Sequence, residues 1–304
     1  MNARVRALLA AGGQVCTLSQ LRAVDVDEVA TERLVRSGLL VRLRRGLFVS
    51  GEVWREAAPE ARLSLCTRAV LRERPDAAAS HASAAVVHGL PLWGVGTSVV
   101  DVVCGSPRRR SRRLLRLHPW PDGVEAVTVD GQRVVPVATA IAQIVDEYGY
   151  LPGLVCLDRA LHEKTVGAPA VLEAGEVLGL GRKAERRMRQ VVADADPDCE
   201  SVGETRTRVL LRDLGQDVRS QVDTYDRQGH IGRVDFLVGE RVIVEFDGLV
   251  KYAGADGRAA LAAEKVREDR LRAAGYEVIR LVWADLDHPE RVLDRVQRAL
   301  GIAA

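Results

Sequence analysis

The stretch that decides the fold of the C-terminal region is RVDFLVGERVIVEFD, residues 233–247. It predicts two apolar strands joined by a tight turn at residues 239–241. With that turn, Asp235 lies directly opposite Glu245, and because side chains alternate along a strand, Asp247 shares their face. Like charges that face each other across two paired strands are destabilising. A divalent cation reverses that penalty, since Mg2+ is typically held by one or two carboxylates with waters and substrate phosphates. The hairpin therefore predicts a metal site at these three carboxylates.

The composition is that of a globular protein with more than one domain. The chain has 304 residues, of which 47% are hydrophobic, and a formal net charge of +2. Whole-chain charge does not argue for a nucleic-acid partner, so that case depends on local basic patches. The five scattered cysteines favour unpaired thiols in a reducing compartment. The first residues lack a signal peptide and no stretch is long enough to span a bilayer, so we predict a cytoplasmic protein with no membrane partner.

The first fifty residues predict three short helices followed by a basic hairpin. Thr17 can cap a second helix over residues 18–23, and Asp25 or Asp27 can begin a third. The inward-facing residues predicted for this third helix are Val29, Leu34 and Val35. The run LLVRLRRGLFVS then predicts a hairpin that turns around Gly46. Three helices and a basic hairpin are the layout of a winged helix-turn-helix.

The C-terminal acids also carry a resemblance to a known family. The run VDFLVGERVIVEFDG, followed by EKVREDRLRAAGYEVIRLVWADL, resembles the endonuclease-like domains related to very-short-patch-repair nucleases, within the PD-(D/E)XK superfamily. The resemblance covers roughly residues 200–300. It implies that Asp235 and Glu245 bind Mg2+ or Mn2+, with Asp247 as a third ligand. It also implies hydrolysis of a phosphodiester, in which a metal-bound water is the nucleophile.

The chain departs from that family pattern at one position. Asp247 stands where the superfamily usually has a lysine that orients the attacking water. The sequence offers two replacements, Lys251 and Lys265, in a chain that otherwise uses arginine almost everywhere.

Glu204 has both a catalytic and a structural interpretation. It precedes the hairpin as the acid on the preceding helix does in the superfamily. The segment from Ser201 to Glu204 is also a capping box, in which the glutamate reaches back to the start of its own helix. The arginines that lie near the acids in sequence, and that could contact phosphates, are Arg206, Arg208, Arg233 and Arg270.

The N-terminal region resembles the winged-helix domain of AbiEi-family antitoxins, the regulator half of type IV toxin–antitoxin pairs. The resemblance depends on VCTLSQLRAVDVDEVATERLVRSGLLVRLRRGLFV, and SHASAAVVHGLPLWG resembles the segment that follows in the same family. It implies DNA contacts from the wing and from the recognition helix, and a cognate toxin or its operator as further partners. The residues implied are Thr31, Glu32, Arg33, Arg42, Arg44 and Arg45. Winged helices also serve as protein-docking units, and that alternative stays open.

Together these patterns predict an α/β protein of several domains. The predicted segments are a winged helix-turn-helix over 1–55, a middle α+β domain over 56–150, a helical connector and linker over 151–199, and an endonuclease-like mixed sheet flanked by helices over 200–304. The favoured function is a Mg2+-dependent DNA endonuclease with a DNA-binding module. The alternatives are a non-catalytic DNA-binding regulator of the antitoxin kind and a winged-helix interaction protein. The middle segment contains His81 and His88 on one helix face, and we expect packing or hydrogen-bonded histidines there.

Overall fold

The computed structural model describes residues 3–248 and 255–301, with side chains described for 3–248 and 263–301. The chain divides into two compact units, Met1–Ala195 and Asp196–Ala304. The division falls inside the acidic, proline-containing stretch that the sequence marks as a linker. We call these the first unit and the second unit and describe each by itself.

The first unit begins with helices that their own caps define. Its first elements are α1 (Ala3–Ala11), β1 (Val15–Thr17), α2 (Leu18–Ala23), α3 (Glu28–Arg36), β2 (Leu40–Arg44) and β3 (Leu47–Ser50). Thr17 caps α2 through a complete capping box with Gln20, and the side chain of Asp27 accepts a hydrogen bond from the Ala30 amide at the start of α3. These local contacts begin the two helices where the sequence predicts.

The strands of this region form a three-stranded sheet with the order β1-β3-β2, and β3 pairs antiparallel with both neighbours. Its buried core includes Leu9, Leu21, Leu40 and Phe48. One expectation for α3 is wrong, because Val29 is 57% exposed. The helix instead turns Thr31 into the core.

The rest of the first unit is a second sheet covered by helices. Its elements are α4 (Gly51–Glu56), α5 (Pro59–Glu73), β4 (Ala78–Ala79), α6 (His81–Val87), β5 (Val100–Cys104), β6 (Arg110–Arg112), β7 (Leu115–Pro119), β8 (Val127–Val129), β9 (Gln132–Val134), α7 (Val137–Tyr148), α8 (Tyr150–His162), α9 (Ala168–Val177) and α10 (Arg182–Asp194). The six strands have the order β6-β7-β5-β4-β9-β8. Strands β5 and β7 run parallel, with Asp101 beside Arg116 and Val103 beside His118. This register places Asp101 and His118 on one face of the sheet.

The second unit is a four-stranded mixed sheet with helices. Its elements are α11 (Val202–Asp213), β10 (Val218–Asp226), β11 (Gly229–Val238), β12 (Val242–Phe246), α12 (Ala255–Ala273), β13 (Glu277–Leu281), a short 3-10 turn (Asp285–Asp287) and α13 (Pro289–Leu300). The strand order is β10-β11-β12-β13; β12 pairs antiparallel with β11 and parallel with β13. The turn between β11 and β12 spans residues 239–241, as predicted, and Gly239 adopts the positive φ of 61° that glycine tolerates there.

Apolar residues cover both faces of this sheet. One cluster includes Phe236, Val244 and Leu281, together with residues of α13. The other includes Val234, Ile243 and Leu271, the last from α12. A strand buried on both faces has few positions for charge, so the acids of the hairpin lie where β12 ends.

The coarse prediction of a mixed α/β chain is confirmed for the described residues. The five cysteines all lie within them and form no disulfide, as expected from their spacing. None of the described helices combines the length and the apolar character needed to cross a bilayer.

Candidate active site

The predicted acids lie on two neighbouring strands of the second unit, with Asp235 inside β11 and with Glu245 and Asp247 at the end of β12. Strands β11 and β12 pair Phe236 with Val244, and the next pair outward in this register is Asp235 and Glu245. The backbone amide of Phe246 donates a 2.8 Å hydrogen bond to Oδ2 of Asp235. That bond fixes the Asp235 carboxylate against the end of β12, beside the backbone that carries Glu245.

Asp235 has a markedly perturbed acidity. Its pKa is raised from 3.8 to about 6, chiefly by partial burial. The Phe246 amide and the guanidinium of Arg267 oppose this rise, and the nearby carboxylates of Glu204 and Glu245 contribute to it. A buried carboxylate among other carboxylates resists ionisation because each added negative charge is poorly solvated. Ionisation of Asp235 therefore costs free energy in the folded chain. Acidic residues whose pKa is shifted in this way are common at functional sites.

Glu245 is held by two arginines that the sequence analysis did not select. Arg267 of α12 donates a 2.6 Å hydrogen bond to Oε1 of Glu245, and Arg280 lies beside Glu245 across the parallel β12–β13 pair, 3.7 Å away. Both arginines also contact Glu264 of α12. The hydrogen bond from Arg267 lowers the pKa of Glu264, and its bonds to Glu264 and Glu245 raise the pKa of Arg267.

These side chains line a cleft of about 460 Å³. Its walls include Asp235, Glu245 and Asp247 from the hairpin and Arg267 and Arg280 from the neighbouring elements. Arg233 and Glu264 complete the polar lining. The cleft thus presents alternating carboxylates and guanidinium groups rather than an apolar surface.

The hairpin acids do not converge as a compact set of three. Across the described residues, the one group of at least three side chains that could hold a metal ion is His81, Asp101 and His118, whose ligand atoms lie within 4.8 Å of one another. A hard cation such as Mg2+ needs only one or two carboxylates when waters and phosphates supply the other ligands. Asp235 and Glu245 meet that smaller requirement. The charge of Asp235 is penalised by partial burial, and Glu245 also accepts a hydrogen bond from Arg267.

Glu204 makes hydrogen bonds at the start of its own helix and also lies near Asp235. Its backbone amide donates to Oγ of Ser201, and its carboxylate accepts from that hydroxyl at 2.7 Å and from the Glu200 amide at 2.9 Å. Ser201 therefore caps α11 as predicted, but the Glu204 carboxylate accepts from the Glu200 amide rather than from the Ser201 amide of the predicted capping box. The same carboxylate is near enough to Asp235 to raise its pKa, so Glu204 also contributes to the electrostatics of the cleft.

The two candidate lysines do not contribute a described contact to the cleft. Lys265 is exposed on α12 and does not belong to the cleft lining. Lys251 lies outside the described residues. Arg267 of α12 is instead the basic residue that lines the cleft and contacts Glu245.

The remaining predicted arginines of this unit pair with acids on other surfaces. Arg206 lies 3.3 Å from Asp287 and stacks over Trp283. Buried Arg208 contacts Cys199, and Arg270 makes two hydrogen bonds to Asp226. Arg233 is exposed at the cleft and lies 3.5 Å from Asp198. Of these four, only Arg233 faces the acids.

In the first unit, some of the residues predicted to contact DNA are exposed to solvent and others are buried. Thr31 is 1% exposed and its hydroxyl donates to the Asp27 carbonyl, so it belongs to the core. Arg33 and Arg45 are exposed. Arg42 is exposed, pairs with Glu32 and lies over the Phe48 ring. Arg44 is half-buried and lies 3.8 Å from Glu73. The exposed arginines lie on α3 and on the β2–β3 hairpin.

The first unit also contains a buried polar cluster that sequence spacing did not indicate. Nε2 of His118 lies 2.8 Å from Oδ1 of Asp101, and the His118 ring stacks on His81 with centroids 4.0 Å apart. Burial lowers the pKa of His81 well below its usual value, and the nearby His118 and the arginines of this region add to that effect. His88 instead hydrogen-bonds the Val135 carbonyl at 2.8 Å, as expected for a structural histidine.

The chain matches no model of a known protein family and no curated protein sequence. The function must therefore be argued from the two sites themselves.

Long-range contacts explain which functional residues the sequence did not reveal. Glu264, Arg267 and Glu268 have the i, i+3, i+4 spacing of one helix face, which is a usable signal for a charged face directed at the hairpin. Asp101 and His118 are single polar residues within apolar strands, and only the pairing of β5 with β7 brings them together.

Proposed function

We propose that the chain is a Mg2+-dependent nuclease that hydrolyses phosphodiester bonds of DNA at the cleft of the second unit. The observation that carries this proposal is the buried carboxylate of Asp235, whose pKa is raised to about 6 beside Glu245 and Glu204. A fold retains such an unfavourable cluster where a cation or a reaction uses it.

In this proposal Asp235 and Glu245 would hold the metal ion, and waters and the substrate phosphate would supply the remaining oxygen ligands. Asp247 lines the same cleft. A divalent ion held there would neutralise phosphate charge and acidify a bound water. Mn2+ has the same preference for carboxylate and water ligands.

The residues of the cleft then have separate roles. Asp235 would act as a ligand of the metal ion, and a water bound to that ion would be the nucleophile and lose its proton to solvent. The water oxygen forms a bond to phosphorus, the bond from phosphorus to one sugar oxygen breaks, and that oxygen leaves with a proton from solvent. Arg267 and Arg280, which pair with carboxylates in the protein alone, are suited to bind the non-bridging phosphate oxygens when a metal ion takes their place at Glu245.

The first unit is proposed to bring DNA to this activity through a winged helix. The order of three helices followed by a hairpin supports a DNA-binding winged helix. The exposed side chains of Arg33, Arg42 and Arg45 support it as well. Arginines at such positions contact phosphates and increase affinity without selecting sequence.

A metal-titrated cleavage assay tests the proposal. Supercoiled plasmid is incubated with the full chain and increasing Mg2+ or Mn2+, and nicked and linear products are measured. Glu245→Gln, which keeps the shape but removes the charge, should lower the rate at least 100-fold, whereas Glu277→Gln on the neighbouring strand, outside the cleft lining, should not. A wild-type chain that is inert with every divalent ion, or an unaffected Glu245→Gln, overturns it.

A second candidate is a DNA-binding regulator without catalysis. The observation that favours it is the pairing of Glu245 with Arg267 at 2.6 Å, which satisfies this acid without a metal ion. That function predicts DNA binding by gel shift with no cleavage at any metal concentration. The association of a toxin protein with the first unit would favour the antitoxin form of this regulator.

A further inference from the structure

We infer that His81, Asp101 and His118 form a site for a zinc-class divalent cation in the first unit. The three residues come from the start of α6, from β5 and from β7, and their ligand atoms lie within 4.8 Å of one another. Asp101 is 0% exposed and His118 is 6% exposed. This site is separate from the cleft of the second unit and does not depend on its activity.

One carboxylate oxygen of the cluster lacks a hydrogen-bond partner. Oδ2 of Asp101 is buried and has no hydrogen-bond partner among the described residues, while Oδ1 lies 2.8 Å from His118 and 3.0 Å from Arg116. A buried polar atom without a partner costs free energy, and an ionised oxygen costs more. A bound cation would satisfy that oxygen directly.

The backbone holds His81 in an unusual conformation at this point. His81 has a φ of 48°, in the left-handed region that few non-glycine residues adopt. Its amide donates a 2.9 Å hydrogen bond to Oε1 of buried Gln143, and its Nδ1 lies 3.1 Å from the Ser80 hydroxyl. Such strain persists where surrounding contacts fix a side chain in one position, and it is common at ligand sites. Here those contacts fix the imidazole beside His118.

The ligand types select the metal. Two imidazole nitrogens and one carboxylate oxygen are a common donor set for Zn2+ and similar transition ions, whereas Mg2+ prefers oxygen alone. Arg116 contacts Asp101 and, with Arg109, pairs with Glu147. Arg116 orients the ligand carboxylate, as outer partners of metal sites do, and Glu147 pairs with both arginines. Their charge also favours a hydroxide or another anion as the fourth ligand of the ion.

Cobalt titration of the metal-stripped full chain tests this inference, because Co2+ reports its ligands by visible absorption. We expect one equivalent bound with nitrogen and oxygen ligation, in addition to any Co2+ that the carboxylates of the cleft bind through oxygen alone. His81→Asn and Asp101→Asn should each weaken binding at least tenfold. Asparagine tolerates positive φ, so the His81 variant keeps the fold if the Asp101 variant does not. His88→Gln is the matched control and should bind as the wild type does.

Three results would overturn the inference. One is a wild-type chain that binds no Co2+, and a second is unchanged binding by His81→Asn. The third is the intense near-ultraviolet absorption of thiolate ligation, which would assign the ion to cysteines. Asp235→Asn in the second unit should leave this binding intact; its loss there would assign the ion to the cleft instead.

Discussion

Replacement of Asp235 by asparagine should stabilise the second unit in the absence of metal while it removes metal binding and cleavage. The ionised carboxylate is penalised because burial raises its pKa from 3.8 to about 6. That rise corresponds to about 3 kcal/mol against the charged form. Because the side chain is only partly buried, solvent screening reduces the expected gain to about 1–2 kcal/mol. The asparagine oxygen can still accept the hydrogen bond from the Phe246 amide.

The gain in stability should depend on pH with a defined sign. Below pH 3.8 the carboxyl group is protonated in both the folded and the unfolded chain, so Asp235→Asn should bring little change there. As pH rises from 3.8 to about 6, the unfolded chain ionises first and the wild type loses stability relative to the variant. Above that range the difference should be constant.

Urea denaturation without metal, followed by hydrogen exchange in β11 and β12, measures this effect. Asp226→Asn is the matched control, because Asp226 is an acid of the same sheet that Arg270 holds with two hydrogen bonds. Arg270 lowers the pKa of Asp226, so this variant should be less stable than the wild type at neutral pH. If Asp235→Asn is equally or less stable than the wild type at pH 8, the argument from a strained buried charge fails.

Three other variants, one of them a double substitution, test the site and the first unit. Arg267→Ala should destabilise the second unit by about 1–2 kcal/mol in urea denaturation, because Glu245 and Glu264 lose their hydrogen bonds to Arg267 and keep only Arg280 as a cationic partner among the described residues. Gly203→Ala should cost about 1–3 kcal/mol, since a Cβ atom there would lie 1.9 Å from the ring of Phe246, and it should slow cleavage by displacing the strand end. Joint replacement of Arg33 and Arg45 by alanine should weaken DNA binding uniformly across sequences and reduce the salt dependence by about two counterions, as measured by fluorescence anisotropy.

Each of these has a result that contradicts it. Arg267→Ala with unchanged stability would mean that the ion pairs are screened by water. A Gly203→Ala variant as stable as the wild type would show that the Phe246 ring moves freely. If the salt dependence of DNA affinity is unchanged in the double arginine variant, the β2–β3 hairpin and α3 do not contact DNA phosphates through these arginines.

Elements defined by local contacts could be predicted from the sequence. The capping box at Thr17 begins α2 at the expected residue, and the turn at 239–241 sets the register that places Asp235 opposite Glu245. Both depend on interactions within a few residues, where turn and cap chemistry is decisive.

Features that depend on distant packing could not be predicted in this way. The pattern of α3 permits more than one buried face, and the core selects Thr31 rather than Val29. The arginines that hold Glu245 come from α12 and β13, and the His81 cluster joins α6 to two strands. The spacing of Glu264, Arg267 and Glu268 indicates a charged helix face, but a single sequence contains no local signal for the partners of these residues, because each pairing depends on how distant helices and strands pack.

Titration of Mn2+ into the full chain, followed by the electron paramagnetic resonance signal of the free ion, tests the central claim most directly. In a His81→Asn background, which removes the first-unit site, the account predicts one bound Mn2+ that Asp235→Asn abolishes and Asp226→Asn retains. Binding that is absent, or that persists unchanged in Asp235→Asn, would contradict the assignment of a metal ion to these carboxylates.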